Sequence, residues 1–382
     1  KGTLAFFHNV QRFMERDGVM QGIWNLRDAW KAQGSTLVLV GANIPLPVEL
    51  GSDVIQVSEN PPGRVEITEI VKTLVATAKS SGAAIPDDYG ALGLVDGLVG
   101  LQSAFDVEQT LSMSISKAGI DLGSVWQRKI ARIKATTGAE ISIDNPDFQQ
   151  LAGCSNVKAE LNGFIGGRQK PGVILFMDEI EKAFGGAGTD LSGVTTNMLG
   201  QWLTWTAERK VRGFLLAGIP GAGKTWTGTC AAGAAKVPFF KLSMSETKGS
   251  LVGQSEQQLK SALKAVDALA GDGSILLIAS CNWIDQLTPD VMGRFTMGTF
   301  FYDYPSAEER AALWSMYTAK FGLPEQELPE STGWVGREIE NCCWRAWQYN
   351  RSLVEVAANI SPSCISQRTK LEQLRTSCSG RF

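Results

Sequence analysis

The sequence predicts an α/β fold built around a parallel sheet. Four runs, GVILFM (172–177), VRGFLLAG (211–218), VPFFKLS (237–243) and SILLIASC (274–281), are apolar nearly throughout, as strands covered on both faces are. Helical patterns separate these runs, and the alternation of strand and helix also opens the chain, over residues 1–80.

In order, TLAFF (3–7) reads as a strand and VQRFMERDGVMQGIWNLRDAWKAQ (10–33) as a helix with an apolar stripe at Phe13, Ile23, Leu26 and Trp30. STLVLVGA (35–42) and, after a Pro-broken turn, DVIQVS (53–58) read as strands, and RVEITEIVKTLVATAKS (64–80) as a helix. From 86 to 137 the pattern is helical only, through DYGALGLVDGLVGLQ, FDVEQTLSMSISKAG and DLGSVWQRKIARIKATTG. EISIDNPDFQQLAGCSN (140–156) is a polar connector and the best domain boundary. FFYDYP (300–305) adds a strand, 306–358 is helical, and the tail from 359 is polar and partly helical. The expected division is an incomplete α/β module over 1–82, a helical bundle over 83–139, an α/β core over 140–305 and a helical lid with tail over 306–382.

A chain of 382 residues has room for two or three domains, and 44% apolar with 20% charged residues is ordinary for a globular protein. The net charge of −3 and pI near 5.5 argue against a nucleic-acid binder that works by bulk electrostatics. No apolar run approaches the roughly 18 residues that span a bilayer, and KGTLAFFHN lacks a small-residue cleavage site, so neither a membrane span nor a signal peptide is expected. The seven cysteines form no CxxC pair and read as free thiols in a reducing compartment, cytoplasmic or an equivalent such as the plastid stroma. The single histidine, His8, excludes HExxH zinc chemistry and nucleophile systems that need a second histidine; ending an apolar run, it reads as a packed residue.

GIPGAGKT (218–225) fits G-x-x-x-x-G-K-[ST] between a strand and a helix of small residues, WTGTCAAGAA. Gly218, Gly221 and Gly223, with Ile219, Pro220 and Ala222 between them, can turn backbone amides around phosphates, and the following helix, from Trp226, adds its positive end. Lys224 then reaches the β- and γ-phosphates and Thr225 holds Mg²⁺. VILFMDEIEKAF (173–184) delivers Asp178 and Glu179 from a strand end, Asp178 for the water shell of Mg²⁺ and Glu179 to orient an attacking water; the plain alternative is an acidic first helical turn. Asn282, ending SILLIASCN, can position that water or read the γ-phosphate, or be a turn asparagine. Three strand ends thus converge where open α/β sheets bind ligands. Arg294 in VMGRF can reach the γ-phosphate of a neighbouring subunit, or be a solvated surface arginine.

SLVGQSEQQLKSAL, DEIEKAF, CNWIDQLTPDVMGRF, YPSAEERAALW and GREIENCCWRA together resemble the AAA branch of the AAA+ ATPases. DEIEKAF, TTNMLGQWLTW and IPLPVEL are most similar to the two-module AAA ATPases of a conserved cyanobacterial and plastid open reading frame, whose degenerate first module precedes an intact second one. The resemblance is strong from 148 to 348 and weaker from 1 to 80. It implies a P-loop NTPase core with a helical lid, preceded by a degenerate partial AAA-like module with its own bundle. It further implies Walker A at 218–225, Walker B at Asp178 and Glu179, sensor 1 at Asn282, a trans-acting arginine finger at Arg294 and a sensor-2 position at Arg337. SLVG (250–253) resembles the pore-facing loop, with Leu251 where an aromatic often stands. The activity implied is Mg²⁺-dependent ATP hydrolysis by a ring, expected to have six subunits, that remodels a protein client; no membrane is expected, and the acidic pI weighs against nucleic acid. The alternatives are a nucleotide-gated scaffold with little turnover and a nucleic-acid motor.

The sequence departs from that family in two ways. TLAFFHN looks like a decayed Walker B strand with His8 and Asn9 in place of the acids; no phosphate loop precedes it, so no nucleotide is assigned to the first module, which either starts inside a domain or has lost that half. The acid block (172–209) also comes before the phosphate loop. In the family's sheet the sensor strand lies between the phosphate-loop and acid strands, so rewired crossovers can keep all three neighbours. The expectation is an unchanged site built by a permuted chain, with the acids inside about 10 Å of Thr225.

Overall fold

The computed structural model describes residues 2–14, 16–41, 61–87, 93–101, 103–137, 139–184, 194–243, 254–270, 273–362 and 372–376, with single positions 44, 50, 54, 55, 57 and 364. Two compact units result, residues 1–59 and 60–382.

In the first unit, β1 (Leu4–His8) pairs in parallel with β2 (Thr36–Val40) across helix α1 (Asp17–Gln33), with Phe6 opposite Val38. Val10, Met14 and Leu50 form its buried centre, joined by Phe7, Met20, Ile23 and Leu39. The helix expected over 10–33 starts only at Asp17. Asn9 is left-handed (φ 55), Val10–Arg12 form a 3-10 turn, and that turn drops Val10 and Met14 into the core. Their spacing of four mimicked helical periodicity. The strand expected over 53–58 is absent at its described positions 54, 55 and 57, where Ile55 and Val57 are 90% and 87% exposed. His8, expected to be packed, is exposed and stacks on Phe6.

The second unit opens with α2 (Arg64–Ser80), α3 (Leu94–Leu98), α4 (Ala104–Ser112) and α5 (Leu122–Thr137). Ile67, Val71 and Val75, four apart on α2, meet Leu94, Leu98, Val107, Leu111 and Val125, so α2 packs into the bundle. The run read as helical to Gly119 stops at Ser112. A hairpin of β3 (Ile115–Ser116) and β4 (Gly119–Ile120) follows, with Gly119 at φ 124, a conformation only glycine adopts readily. Lys129 is fully buried in this bundle: its ammonium donates to the Asp96 carbonyl at 2.9 Å and lies 4.2 Å from the Trp126 ring centroid. Burial pushes its pKa down to about 7; the Asp96 carboxylate opposes that drop and the Arg64 guanidinium adds to it.

The core carries β5 (Glu140–Ser142), α6 (Ser155–Ile165), β6 (Pro171–Asp178), α7 (Ile180–Phe184), α8 (Val194–Glu208), β7 (Arg212–Gly218) and α9 (Lys224–Ala235). It continues through β8 (Phe239–Ser243), α10 (Gln254–Ala270), β9 (Ser274–Cys281), α11 (Pro289–Met292) and β10 (Gly298–Tyr302). The sheet order is β10-β7-β9-β6-β8-β5, parallel except for β5 against β8. The segment 140–156, expected to be a connector, therefore supplies an edge strand; its polar Glu140 and Ser142 suit an edge.

Alternation sorts the apolar strands onto two faces. Val173, Leu175, Met177, Leu215, Ala217, Leu277 and Ala279 pack under α8 and α10 around Trp202, whereas Ile174, Phe176, Phe214, Leu216, Leu276 and Ile278 pack under α6 and α9. Each fully buried aliphatic side chain contributes roughly 1.5–3 kcal/mol of transfer free energy. The β6→β7 and β8→β9 crossovers run one way across the first face, and β7→β8 runs the opposite way across the second. All three crossovers thus share one hand. The sensor strand β9 lies between the acid strand β6 and the phosphate-loop strand β7, as the sequence reading required.

The lid consists of α12 (Ala307–Phe321), α13 (Gly336–Tyr349) and α14 (Leu353–Ala357), packed around Trp314, Trp334, Ile339, Cys342, Cys343 and Leu353. Ser306 and Glu309 form a capping box at the start of α12.

Two outcomes follow for stability. A Cβ at Gly228 of α9 would stand 2.5 Å from Phe176 Cδ2, in a fully buried ring. Gly228→Val is expected to cost about 2–3 kcal/mol, read as a lower chemical-denaturation midpoint at unchanged slope. The lowered pKa of Lys129 is a penalty on folding that is fully present below about pH 7 and is relieved as pH rises toward the unfolded value. Lys129→Met should therefore stabilise the chain most at pH 6–7, its advantage over wild type shrinking by up to about 1.4 kcal/mol per pH unit toward pH 10.

Candidate functional site

The site forms at the carboxyl edge, where β6, β7 and β9 end beside one another. Gly218 (φ 144) ends β7 so close to β10 that a Cβ would stand 2.2 Å from the Tyr302 carbonyl oxygen. Gly221 (φ 85) and Gly223 (φ 93) complete a turn that only glycine makes without strain, and α9 starts at Lys224 with its free amides facing the turn. The helix end and the turn amides form a cradle suited to an anion.

Lys224 is 6% exposed, and its ammonium donates to the carbonyls of Gly218 (2.7 Å) and Ile219 (2.9 Å) and to Asn282 Oδ1 (2.8 Å). Burial lowers its pKa to about 8, while Cys281, Glu181, Asp178 and Glu179 pull it back up. Asn282 passes the connection on: its Nδ2 donates to Glu179 Oε1 at 3.1 Å.

Strand alternation puts Asp178 on the face of α9, where the Thr225 hydroxyl approaches Asp178 Oδ1 at 3.5 Å. Glu179 leaves the strand in the left-handed region (φ 50), its carboxylate held by Asn282 and, at 2.5 Å, by Lys182. One hydroxyl and one carboxylate beside an anion cradle are the donors a Mg²⁺ ion uses when phosphates and water complete its octahedron, so the residues fit the ion the sequence implies.

Three members of the site were not singled out from the sequence. Ser280, 1% exposed on β9, donates to Asp178 Oδ1 at 2.6 Å and accepts the Glu179 amide at 2.8 Å. Lys241, on β8, stands 3.5 Å from Asp178 Oδ2 and 3.9 Å from Glu140 Oε2. Glu181, 2% exposed, accepts the Asn282 amide at 2.9 Å, and its burial raises its pKa. The available signal was a polar residue inside an apolar strand, serine in SILLIASC and lysine in VPFFKLS.

Asp178, Glu179, Lys224, Thr225 and Asn282 are thus brought together. The lid joins them: Val335 packs on Ile219, and the Arg337 amide donates to the Gly221 carbonyl at 3.4 Å. Trp226 points to the outside of α9, its indole N–H donating to the Gln150 carbonyl at 3.1 Å. Arg294 follows α11, outside the cluster; its Nε is buried without a hydrogen-bond partner among the described residues. The loop SLVG, with Leu251, lies outside the described residues.

A glycine cradle at a helix start, a buried lysine beneath it and an acid strand two places away define a P-loop nucleotide-binding protein. The family model "ATPase family associated with various cellular activities (AAA)" matches residues 214–278, which run from β7 to β9. An AAA domain-containing protein of Guillardia theta, ycf46, is 22% identical over 401 aligned residues, covering 90% of this chain and 71% of the relative. Its counterpart in Trieres chinensis is 21% identical, covering 84% of this chain and 66% of that protein, so the chain spans about two thirds of the relatives it matches. The FIGL-1 AAA domain is a similar solved structure, with a TM-score of 0.42 at 16% identity over 65% of this chain and 96% of that one. Residues 214–278 thus match the AAA family, and most of the chain is similar to AAA domain-containing proteins.

A Cβ at Gly221 would meet Val335 Cγ2 at 3.1 Å and Arg337 Cβ at 3.2 Å, in a left-handed backbone. Gly221→Val is expected to weaken ATP binding by about tenfold or more, measured by anisotropy of a fluorescent ATP, with the denaturation midpoint as the folding control.

Proposed function

We propose that the chain hydrolyses ATP with Mg²⁺ as a subunit of a ring, expected to be a hexamer, and that the ring remodels a protein partner. The observation that carries this reading is the buried relay from the phosphate loop through Lys224 and Asn282 to Glu179, with Thr225 and Asp178 beside it.

In this reading the loop amides and Lys224 bind the β- and γ-phosphates, and Thr225 with Asp178 holds the metal. The bound ion supplies charge neutralisation across those phosphates. Glu179 orients the attacking water and accepts its proton, steadied by Asn282, whose amide can address both the carboxylate and the lysine. Arg337, next to Gly221, reports the nucleotide to the lid through α13. Arg294, apart from its own subunit's cluster, serves the neighbouring subunit's γ-phosphate, which is why the ring matters. The six free thiols among the described residues suit a reducing compartment, cytoplasm or plastid stroma, and no described helix is long and apolar enough to cross a membrane.

A second reading is a nucleotide-gated scaffold with little turnover. It draws support from Glu179, whose two carboxylate oxygens are both engaged, by Asn282 and Lys182. ATP turnover measured against protein concentration separates the two readings. Wild type is expected to gain turnover per subunit as it assembles; Glu179→Gln is expected to keep ATP binding and lose at least about 100-fold in turnover, and Arg294→Ala to lose the gain that comes with assembly and to match wild type at dilutions where both are monomeric. Turnover per subunit that stays constant down to monomer contradicts the ring. Variants that match a low wild-type turnover favour the scaffold.

A further inference from the structure

Asp178 and Glu179 are neighbours in sequence with different tasks, and their geometry has to be fixed separately. Asp178 continues β6, opposite Ser243 of β8, whereas Glu179 breaks from the strand at φ 50. A non-glycine residue there is strained unless its surroundings hold it. One buried atom meets both acids. Ser280 Oγ donates its proton to Asp178 Oδ1 at 2.6 Å and accepts the Glu179 N–H at 2.8 Å. Its position follows from register: Met177 pairs with Ala279, so Ser280 lies level with Asp178, and its even place in the strand turns it to the α9 face. The oxygen that Ser280 holds is the same Oδ1 that faces the Thr225 hydroxyl, while Oδ2 is left to Lys241.

We infer that Ser280 is a positioning residue for the metal and the attacking water: a single hydroxyl that fixes the Asp178 carboxylate toward Thr225 and pins the backbone turn that aims Glu179 at Asn282. The inference rests on the ATPase reading above. An O–H donor commits one lone pair of Oδ1 and leaves the other to the side of the Thr225 hydroxyl. The acceptor side satisfies an amide that is otherwise stranded where the strand ends. An alanine at 280 removes both bonds at once yet leaves Lys241 on Oδ2 and Asn282 on Glu179, so the acids stay in the site but lose their fixed orientation.

The test uses the full chain in a Glu179→Gln background, which slows hydrolysis while keeping the backbone amide that Ser280 accepts. ATP affinity is measured by calorimetry in EDTA and then as a function of Mg²⁺. Ser280→Ala is expected to leave the EDTA affinity unchanged and to raise the half-saturating Mg²⁺ by about tenfold, the effect of one hydrogen bond to a charged group. Ser280→Thr, which keeps the hydroxyl, is expected to hold the parent value. With Glu179 restored, Ser280→Ala should lower kcat at saturating Mg²⁺ with KM for ATP unchanged. An unchanged Mg²⁺ requirement overturns the inference, as does an equal loss of affinity in EDTA, which marks a merely structural role. So does a threonine variant with a wild-type denaturation midpoint that behaves like alanine. A parent whose ATP binding does not respond to Mg²⁺ at all instead defeats the metal assignment of Asp178 and Thr225.

Discussion

The buried ammonium of Lys224 is the interaction on which the site depends. A cation taken out of water has to be surrounded by acceptors, and here it finds two loop carbonyls and Asn282 Oδ1. Those three bonds close the loop after β7 onto itself and tie it to the end of β9. Asn282 relays the connection to Glu179, and Glu181 holds the Asn282 backbone from below. The acceptors around Lys224 are neutral, so the ammonium keeps a strong preference for an anion brought into the cradle above it.

The same dependence explains why the chain tolerates its unusual order. What the site needs is β9 flanked by β6 and β7, with all three ending at one edge. Each crossover is a helix joining parallel strands, and the hand of the connection is set by the face the helix covers and the direction it travels. With the acid block ahead of the loop, β9 still has β6 and β7 as its neighbours. The energetic core, split by alternation onto the two faces around Trp202 and around Phe176, depends on spatial neighbours and is indifferent to chain order.

Much of this was legible in the sequence because the strands are buried on both faces and therefore apolar throughout, and because positive-φ positions demand glycine. Gly218, Gly221 and Gly223 announced the cradle, and Asp178 and Asn282 announced the strand ends. The misreadings come from features that periodicity does not encode. The turn at Val10–Arg12 carries helical spacing but is held by core contacts, and the hairpin at 115–120 is set by one glycine. The edge strand β5 is polar, and among the described residues its outer side has no partner strand; helix α2 finds its apolar partners in the bundle. Ser280 escaped notice because a lone serine in an apolar strand gains meaning only once the register places it level with Asp178.

The central claim is that a permuted chain brings Thr225 and Asp178 to one metal. Anomalous diffraction from a crystal of the Glu179→Gln chain with ATP and Mn²⁺ tests it most directly. The account predicts a single manganese peak about 2.1–2.3 Å from the Thr225 hydroxyl and within one water shell, roughly 4 Å, of the Asp178 carboxylate, with Ser280 still bonded to Oδ1. A manganese peak at the nucleotide that lies beyond one water shell of Asp178 would contradict it.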